Sequence, residues 1–249
     1  MKILYLFILI GSLTGCQTLK EAEENPPAPG FDLAASDSLA MSLADQVMIA
    51  SGGRKAWDKT RYLSWNFFGR RNLIWDKHRG RVRIEIPKDS TLFLVNVNTL
   101  NGKASIKGKE ILNKDSLQIL MKKAQSIWIN DSYWLVMPFK LKDTGVSLKY
   151  DGVETLPNGK LSNVLKITFS NVGDTPENMY RVFVDPQDSL IKQWSYYKDA
   201  KQDTANFTLP WDNYQPYGQI LLSADRSDGK GPKNVRVYET LPDEIFDKF

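Results

Sequence analysis

Short runs in which apolar and polar residues alternate dominate this chain and restrict it to a β-rich fold. In the clearest run, Val82, Ile84 and Ile86 alternate with charged residues. Because successive side chains of a strand point to opposite faces, this pattern is typical of a strand with one buried face. Comparable runs predict further strands near residues 63–67, 73–75, 91–97, 103–111, 146–156, 161–170, 179–185, 190–198, 207–211, 214–222 and 235–238.

The connections between these runs are short. Asn101-Gly102 and Asn158-Gly159 have the side-chain chemistry of tight hairpin turns, and residues 186–188 (Pro-Gln-Asp) predict another turn. Strands that follow each other through short turns and keep one polar face pair in antiparallel fashion. The chain is therefore predicted to form an antiparallel sheet.

Three stretches have helical spacing instead. Leu39, Leu43, Val47 and Ala50 form an apolar stripe behind possible N-caps at residues 36–38, and Gly52-Gly53 is predicted to end that helix. A short second helical turn follows over residues 54–60 and carries Trp57. The third helix is predicted over residues 114–128, because its apolar positions share one face; they are Leu117, Leu120, Met121, Ala124, Ile127 and Trp128.

Residues 132–146 lie at the centre of the chain and combine aromatic residues, a proline and a turn. The run over residues 133–137 is apolar on both parities, which predicts a strand covered on both faces. Pro138 cannot donate to a sheet ladder, so that strand is expected to end or bulge there. Two interpretations remain open: a core strand that ends at a corner, and the rim of a pocket.

Composition and charge exclude some classes of function. The 249 residues are 42% apolar and 25% charged, which suits one well-buried globular core. A net charge of +4, without a basic surface interleaved with aromatic residues, does not indicate nucleic-acid binding. Basic residues concentrate only within residues 70–83, where we expect a solvated hairpin face or, alternatively, contact with anionic lipid headgroups.

The N-terminus has the form of a secretory signal. Lys2 precedes a short apolar run over residues 3–10, which is too short for a membrane span. Leu13-Thr14-Gly15-Cys16 resembles the bacterial lipobox, and Cys16 is the only cysteine of the chain. This resemblance implies that Cys16 is acylated after removal of residues 1–15, and that several acyl chains hold the protein on a membrane of the bacterial envelope. The outer membrane is the expected membrane, with the folded part in the periplasm or at the cell surface.

The expected mature chain has two parts. Residues 16–35 are polar and rich in proline, so they are predicted to form a disordered tether. Residues 36–249 contain no internal repeat and no further linker, so they are predicted to form a single domain.

A search for catalytic patterns predicts no enzyme, no metal site and no cofactor. His78 is the only histidine and has no neighbouring triad or zinc pattern. The glycine spacings near residues 52 and 102 do not match a phosphate-binding loop. Carboxylates at turns, namely Asp143, Asp199, Asp212 and Asp225, could supply a pair for glycoside hydrolysis, but turn and cap roles account for them.

Several motifs carry a resemblance to a known family. They are YWLVMPFKL (residues 133–141), DTGV (residues 143–146), ASGG (residues 50–53) with Trp57, and WDNY (residues 211–214). They resemble an uncharacterised bacterial lipoprotein family of unknown function, which is similar in strand order to the lipoprotein-localisation proteins LolA and LolB. The resemblance implies a mainly β (α+β) fold: a curled antiparallel sheet that forms an incomplete barrel, with helices as a lid on the concave face.

Two functions follow from these observations. In the first, the half-barrel binds an acyl chain or another apolar ligand, with inward-facing residues as the lining: Leu63, Trp65, Phe67, Trp75, Leu120, Trp134 and Phe139. In the second, the protein is a structural or partner-binding envelope lipoprotein with a packed core and no ligand. An apolar cavity of several hundred Å³ would favour the first function. The identity of a ligand or protein partner does not follow from the sequence.

Overall fold

The computed structural model describes residues 24–249, which contain fourteen strands and four helices. The helices are α1 (Ser38–Ala50), α2 (Arg54–Lys59), α3 (Lys114–Val136) and α4 (Glu244–Asp247). The strands are β1 (Tyr62–Phe67), β2 (Arg71–Asp76), β3 (Arg81–Ile86), β4 (Thr91–Asn96), β5 (Gly102–Ile106), β6 (Lys109–Glu110), β7 (Val146–Thr155), β8 (Leu161–Phe169), β9 (Met179–Val184), β10 (Ile191–Tyr197), β11 (Phe207–Pro210), β12 (Tyr214–Tyr217), β13 (Ile220–Ser223) and β14 (Pro232–Tyr238).

The first sheet has the order β14-β1-β2-β3-β4-β5-β6 and is antiparallel throughout. The predicted alternation in β3 is confirmed, since Val82 and Ile84 are buried while Arg81 and Arg83 lie on the opposite face. The turn predicted at Asn101-Gly102 lies earlier, over residues 97–100, because Asn96 Oδ1 accepts the backbone N–H groups of residues 98 and 99. Gly102 already pairs with β4.

The second sheet has the order β11-β10-β9-β8-β7 and is also antiparallel, and β12 and β13 form a separate hairpin. The predicted mainly β fold, an incomplete antiparallel barrel with helices, is confirmed. Within residues 24–249 the strands divide between two large sheets, and these sheets do not close into a barrel.

The helix α3 extends well beyond the predicted end at residue 128. Asn113 caps it through a hydrogen bond from the Ser116 N–H, and it continues to Val136. The strand predicted over residues 133–137 is therefore wrong. Apolar residues on both parities fit a helix that is covered on all sides, and here tertiary packing overrides the β-propensity of the aromatic residues. Pro138 lies in a 3-10 turn, Met137–Phe139, which ends the helix.

Two separate cores flank α3. The first core lies between the first sheet, α2 and α3, and Met121 and Ala124 belong to it together with residues such as Trp65 and Phe93. The second core lies between the second sheet and α1, and Met137 belongs to it. Trp134 packs against both cores, so the last turns of α3 connect them.

The helix α1 has the predicted position but a rotated buried face. Ala40, Leu43 and Val47 are buried, whereas Leu39 is 55% exposed. The predicted stripe is therefore wrong at Leu39, because the helix packs its small alanine face against β7 and the turn after α3.

The segment before α1 is not a free tether over its last residues. The N–H groups of Ala28 and Asp32 donate to the carbonyls of Lys142 and Val146, and Phe31 is buried in the second core. These contacts cover the edge of β7. Residues 28–32, which belong to the segment predicted as a tether, therefore pack on the folded part of the chain. Residues 1–23 and the predicted acylation site Cys16 lie outside the described residues.

Arg61, before β1, and Arg81, at the start of β3, form ion pairs within the protein. Arg61 and Arg81 both bind the fully buried Asp76, and Arg81 also binds Asp243 just before α4. Burial opposes ionisation of Asp76, but the hydrogen bonds from the two arginines lower its pKa. This part of the predicted basic surface is therefore an ion-pair network beneath the C-terminal helix.

Residues 24–249 contain both cores and both sheets, so this part of the chain has what a domain needs to fold by itself. None of the helices within these residues is long and apolar enough to cross a membrane.

Candidate functional site

One candidate site is a cavity of about 580 Å³ beside the C-terminal half of α3. It is bounded by α3, by the second sheet and by the loop of residues 170–178 between β8 and β9. This volume lies within the range of small-molecule sites in proteins.

Aromatic side chains form most of the apolar wall. Tyr180, Tyr196 and Phe207 lie directly opposite one another on β9, β10 and β11, so antiparallel register places them in one row. The ring centroids of Tyr180 and Tyr196 are 5.3 Å apart, and those of Tyr196 and Phe207 are 5.0 Å apart. Such cross-strand pairs stabilise the sheet and also present a continuous aromatic surface.

The helix α3 adds two aromatic rings to this wall. Tyr133 contacts Phe169 and Tyr180, with centroid distances of 6.2 and 5.2 Å, and Trp134 lies 5.7 Å from Phe207. Burial raises the pKa of both Tyr133 and Tyr180, so their phenol groups stay neutral at physiological pH. All six aromatic residues of the wall are only partly buried.

A buried ion pair interrupts the aromatic wall. Arg71 donates from Nε and Nη2 to Asp131 Oδ2 and Oδ1, at 2.7 and 2.8 Å, and the Asn130 amide donates to Oδ1 at 2.9 Å. The Asp131 side chain is 0% exposed. Burial raises the pKa of Asp131, while the hydrogen bonds from Arg71 and Asn130 oppose that rise.

The loop of residues 170–178 borders the cavity through residues such as Asp174, Thr175 and Asn178. It is joined to α3 by a hydrogen bond from Ser126 Oγ to Asp174. At its end, Asn178 donates to Thr175 Oγ1 at 2.5 Å and accepts from the Tyr196 hydroxyl at 3.3 Å. The cavity thus has an aromatic wall on the sheet side and a polar rim.

A second cavity of about 450 Å³ lies between β3–β5 and α4, and Arg81, Leu94, Lys103 and Phe246 contribute to it. Phe246 and the carbonyl of Asp247, which accepts from Lys103 at 3.2 Å, already occupy one side. The remaining space of this second cavity lies along the edge of the C-terminal helix α4.

The predicted lining residues do not lie together around the cavity. Five of them are buried in the first core, against Met121, Ala124 and Trp57, with Phe139 stacked on Trp57 at 4.5 Å: Leu63, Trp65, Phe67, Trp75 and Phe139. Leu120 packs partly buried against the same core. Only Trp134 contributes to the cavity.

The alternation of side chains along β1 correctly identified the face of the strand that points into the protein. This alternation does not tell whether α3 fills the space above that face. The residues that the sequence prediction missed are those of the second sheet. A turn over residues 186–188 alone would pair position 180 with position 194, so the sequence does not place the two tyrosines side by side. In the structure Asp185 pairs with Leu190 and a bulge lies between Ile191 and Gln193, and this register brings Tyr180 opposite Tyr196.

Among residues 24–249, no group of three histidine, cysteine or acidic side chains is arranged to hold a metal ion. His78 is exposed, and its Nε2 lies 2.8 Å from the carbonyl oxygen of Asp58.

No protein-family model matches the chain, and no curated protein matches it. Among solved structures, a DUF1329 family protein from Desulfovibrio piger ATCC 29098 is 14% identical, with a TM-score of 0.43 over 84% of this chain and 97% of that chain. A putative outer membrane lipoprotein-sorting protein domain from Vibrio parahaemolyticus is 10% identical, with a TM-score of 0.41 over the same shares. MucB, solved in complex with MucA(peri), is 11% identical, with a TM-score of 0.25 over 74% of this chain and 61% of its own.

Proposed function

We propose that this protein is a lipoprotein of the bacterial envelope that binds the apolar chain of a lipid or acylated ligand in the cavity between α3 and the second sheet. Cys16 carries the membrane anchor, residues 1–15 are the signal peptide, and the outer membrane is the membrane concerned. The folded part lies in the periplasm or at the cell surface.

One observation carries the binding function: six partly exposed aromatic residues line a cavity of about 580 Å³. A protein without a ligand gains stability by burying such rings, whereas exposed clustered apolar surface is typical of binding sites. A mostly apolar concave wall with a few polar groups is also the usual form of a small-molecule site.

A second function, a structural or partner-binding lipoprotein without a ligand, is favoured by the first core. That core is packed: Trp65 and Phe93, like the neighbouring residues of β2 and β3, are almost fully buried under α3. If the protein has this second function, the cavity is only a hollow in its surface and binds no acyl chain.

Titration of an acyl chain with a polarity-sensitive fluorophore distinguishes the two functions. We expect saturable binding of one probe to residues 24–249, with quenching of the tryptophan emission to which Trp134 contributes. The variant Ile129→Trp adds volume inside the cavity and is expected to weaken binding at least about tenfold, a loss of about 1.4 kcal/mol.

The matched control is Ile119→Trp, the same substitution on the same helix at a side chain that is 69% exposed. It should bind the probe like the unmodified protein. Absence of saturable binding, or equal binding by both variants, would contradict the proposed function. Native mass spectrometry of the protein from its own host adds an independent readout, since a co-purified lipid is expected.

A further inference from the structure

Burial of the Arg71–Asp131 ion pair in the cavity wall has a cost in folding free energy. Asp131 is fully buried and the Arg71 side chain is 22% exposed, in a wall that also holds six aromatic side chains. Apolar residues in place of a buried ion pair are often neutral or stabilising, because the charges lose their hydration. The position of the pair in a proposed binding cavity therefore points to recognition of the ligand as well as to packing.

The charges around the cavity disfavour an anion. Arg71 is the only cationic side chain in the lining within the described residues, and Asp131 already neutralises it through two hydrogen bonds. Asp174 adds another negative charge at the rim. A carboxylate or phosphate group in this cavity would meet two acidic residues without a cation of its own.

A cationic group fits no better. Asp131 already accepts three hydrogen bonds from Arg71 and Asn130, so it has little capacity left to compensate a further positive charge. Uncharged hydrogen-bonding groups, by contrast, are present, since the side chains of Ser126, Thr175 and Asn178 lie in the lining.

We propose that the cavity selects an uncharged amphiphile, that is, an acyl chain joined through an ester or amide to a neutral hydroxyl-bearing group, over the free carboxylic acid or a phosphate ester. This inference rests on the proposed function of the same cavity. Arg71 and Asp131 are the residues that set the selectivity.

The test compares three amphiphiles that carry the same saturated hydrocarbon chain: the glycerol monoester, the carboxylate and the trimethylammonium derivative. Each is used at neutral pH and below its critical micelle concentration. Binding to residues 24–249 is measured by calorimetry. We expect the monoester to bind at least about tenfold more tightly than either charged form.

The variant Asp131→Asn keeps the shape of the side chain and leaves the Arg71 charge uncompensated. We expect it to bind the carboxylate more tightly than the monoester, which reverses the order of the unmodified protein. A purely structural role of the ion pair would not change this order.

Asp76→Asn is the matched control, because Asp76 is also 0% exposed and bound by two arginines but lies outside the cavity. It should leave the order of the three ligands unchanged. If circular dichroism shows that Asp131→Asn does not fold, the double variant Arg71→Met with Asp131→Leu takes its place. In this double variant the monoester and the carboxylate should bind with nearly equal affinity.

The outcomes separate the two proposals. If none of the three amphiphiles binds, the proposed function itself fails. If the carboxylate binds the unmodified protein as tightly as the monoester, or if the folded variants keep the original order, the function stands and the selectivity is refuted.

Discussion

The packing beneath α3 can be tested at three consecutive positions that differ in burial. Met121 is 1% exposed and belongs to the first core, Leu120 is partly buried, and Ile119 is 69% exposed. A β-carbon built on Gly102 would lie only 2.5 Å from the Met121 sulfur, so the methionine side chain fills the space directly above this glycine. Truncation of Met121 therefore opens a hole between helix and sheet.

The expected losses of unfolding free energy follow from how deeply each of these side chains is buried. Met121→Ala should lower the free energy of unfolding by about 2–5 kcal/mol, since it removes buried methylene groups and leaves a cavity. Leu120→Ala removes partly hydrated groups and should cost about 1–2 kcal/mol. Ile119→Ala should stay within about 0.5 kcal/mol of the unmodified protein, because it changes an exposed position.

Urea unfolding of residues 24–249, followed by circular dichroism and tryptophan fluorescence, measures all three variants. A loss of 3 kcal/mol corresponds to a midpoint shift of roughly 1 M for a domain of this size. If Met121→Ala costs less than about 1 kcal/mol, or no more than Leu120→Ala, the space under α3 is an open container and the packed first core described above is wrong.

Three further predictions concern other parts of the chain. Burial lowers the pKa of Lys77 to about 8 from its ordinary 10.5. Between these two values the unfolded state binds more protons than the folded state, so this group raises the stability of the protein as the pH increases from about 8 to 10.5. NMR of methylated lysines should show one titration near pH 8, and this titration should disappear in Lys77→Arg. A β-carbon at Gly102 would lie 2.0 Å from the Leu94 carbonyl oxygen, so Gly102→Ala should destabilise the protein by about 1–3 kcal/mol or more in the same urea assay. Intact-mass analysis of the membrane fraction should find an acylated Cys16 at the mature N-terminus, and Cys16→Ser should leave an unprocessed precursor or a soluble protein; any other mature N-terminus would contradict the lipobox.

Much of the fold follows from local patterns in the sequence. The alternation of Val82 and Ile84 with arginines predicts β3 and its buried face, and Asn113 marks the beginning of α3. These features are predictable because side-chain periodicity and capping depend on neighbouring residues alone. The antiparallel order of most strands follows as well, since short turns leave few alternatives.

The end of α3 depends on the tertiary structure. Residues 133–137 are apolar and aromatic, which locally favours a strand. In the structure, however, residues 133–136 form the last turn of α3, Met137 begins the 3-10 turn that follows, and this segment contacts both cores. Similarly, Leu39 fits the apolar stripe of α1 but is exposed, because β7 packs on the neighbouring alanine face. In both cases the partner surface is distant in sequence, so local propensity does not contain the deciding contact.

The candidate site shows the same division. The sequence by itself identified inward-facing aromatic residues on β1 and β2, and the structure places them under α3 in a filled core. The cavity lies instead between α3 and the second sheet, beside Tyr180 and Tyr196 and the Arg71–Asp131 ion pair. Parity determines which face of a strand is buried, but whether the space above that face is filled depends on how helix and sheets pack together, which only the tertiary structure decided.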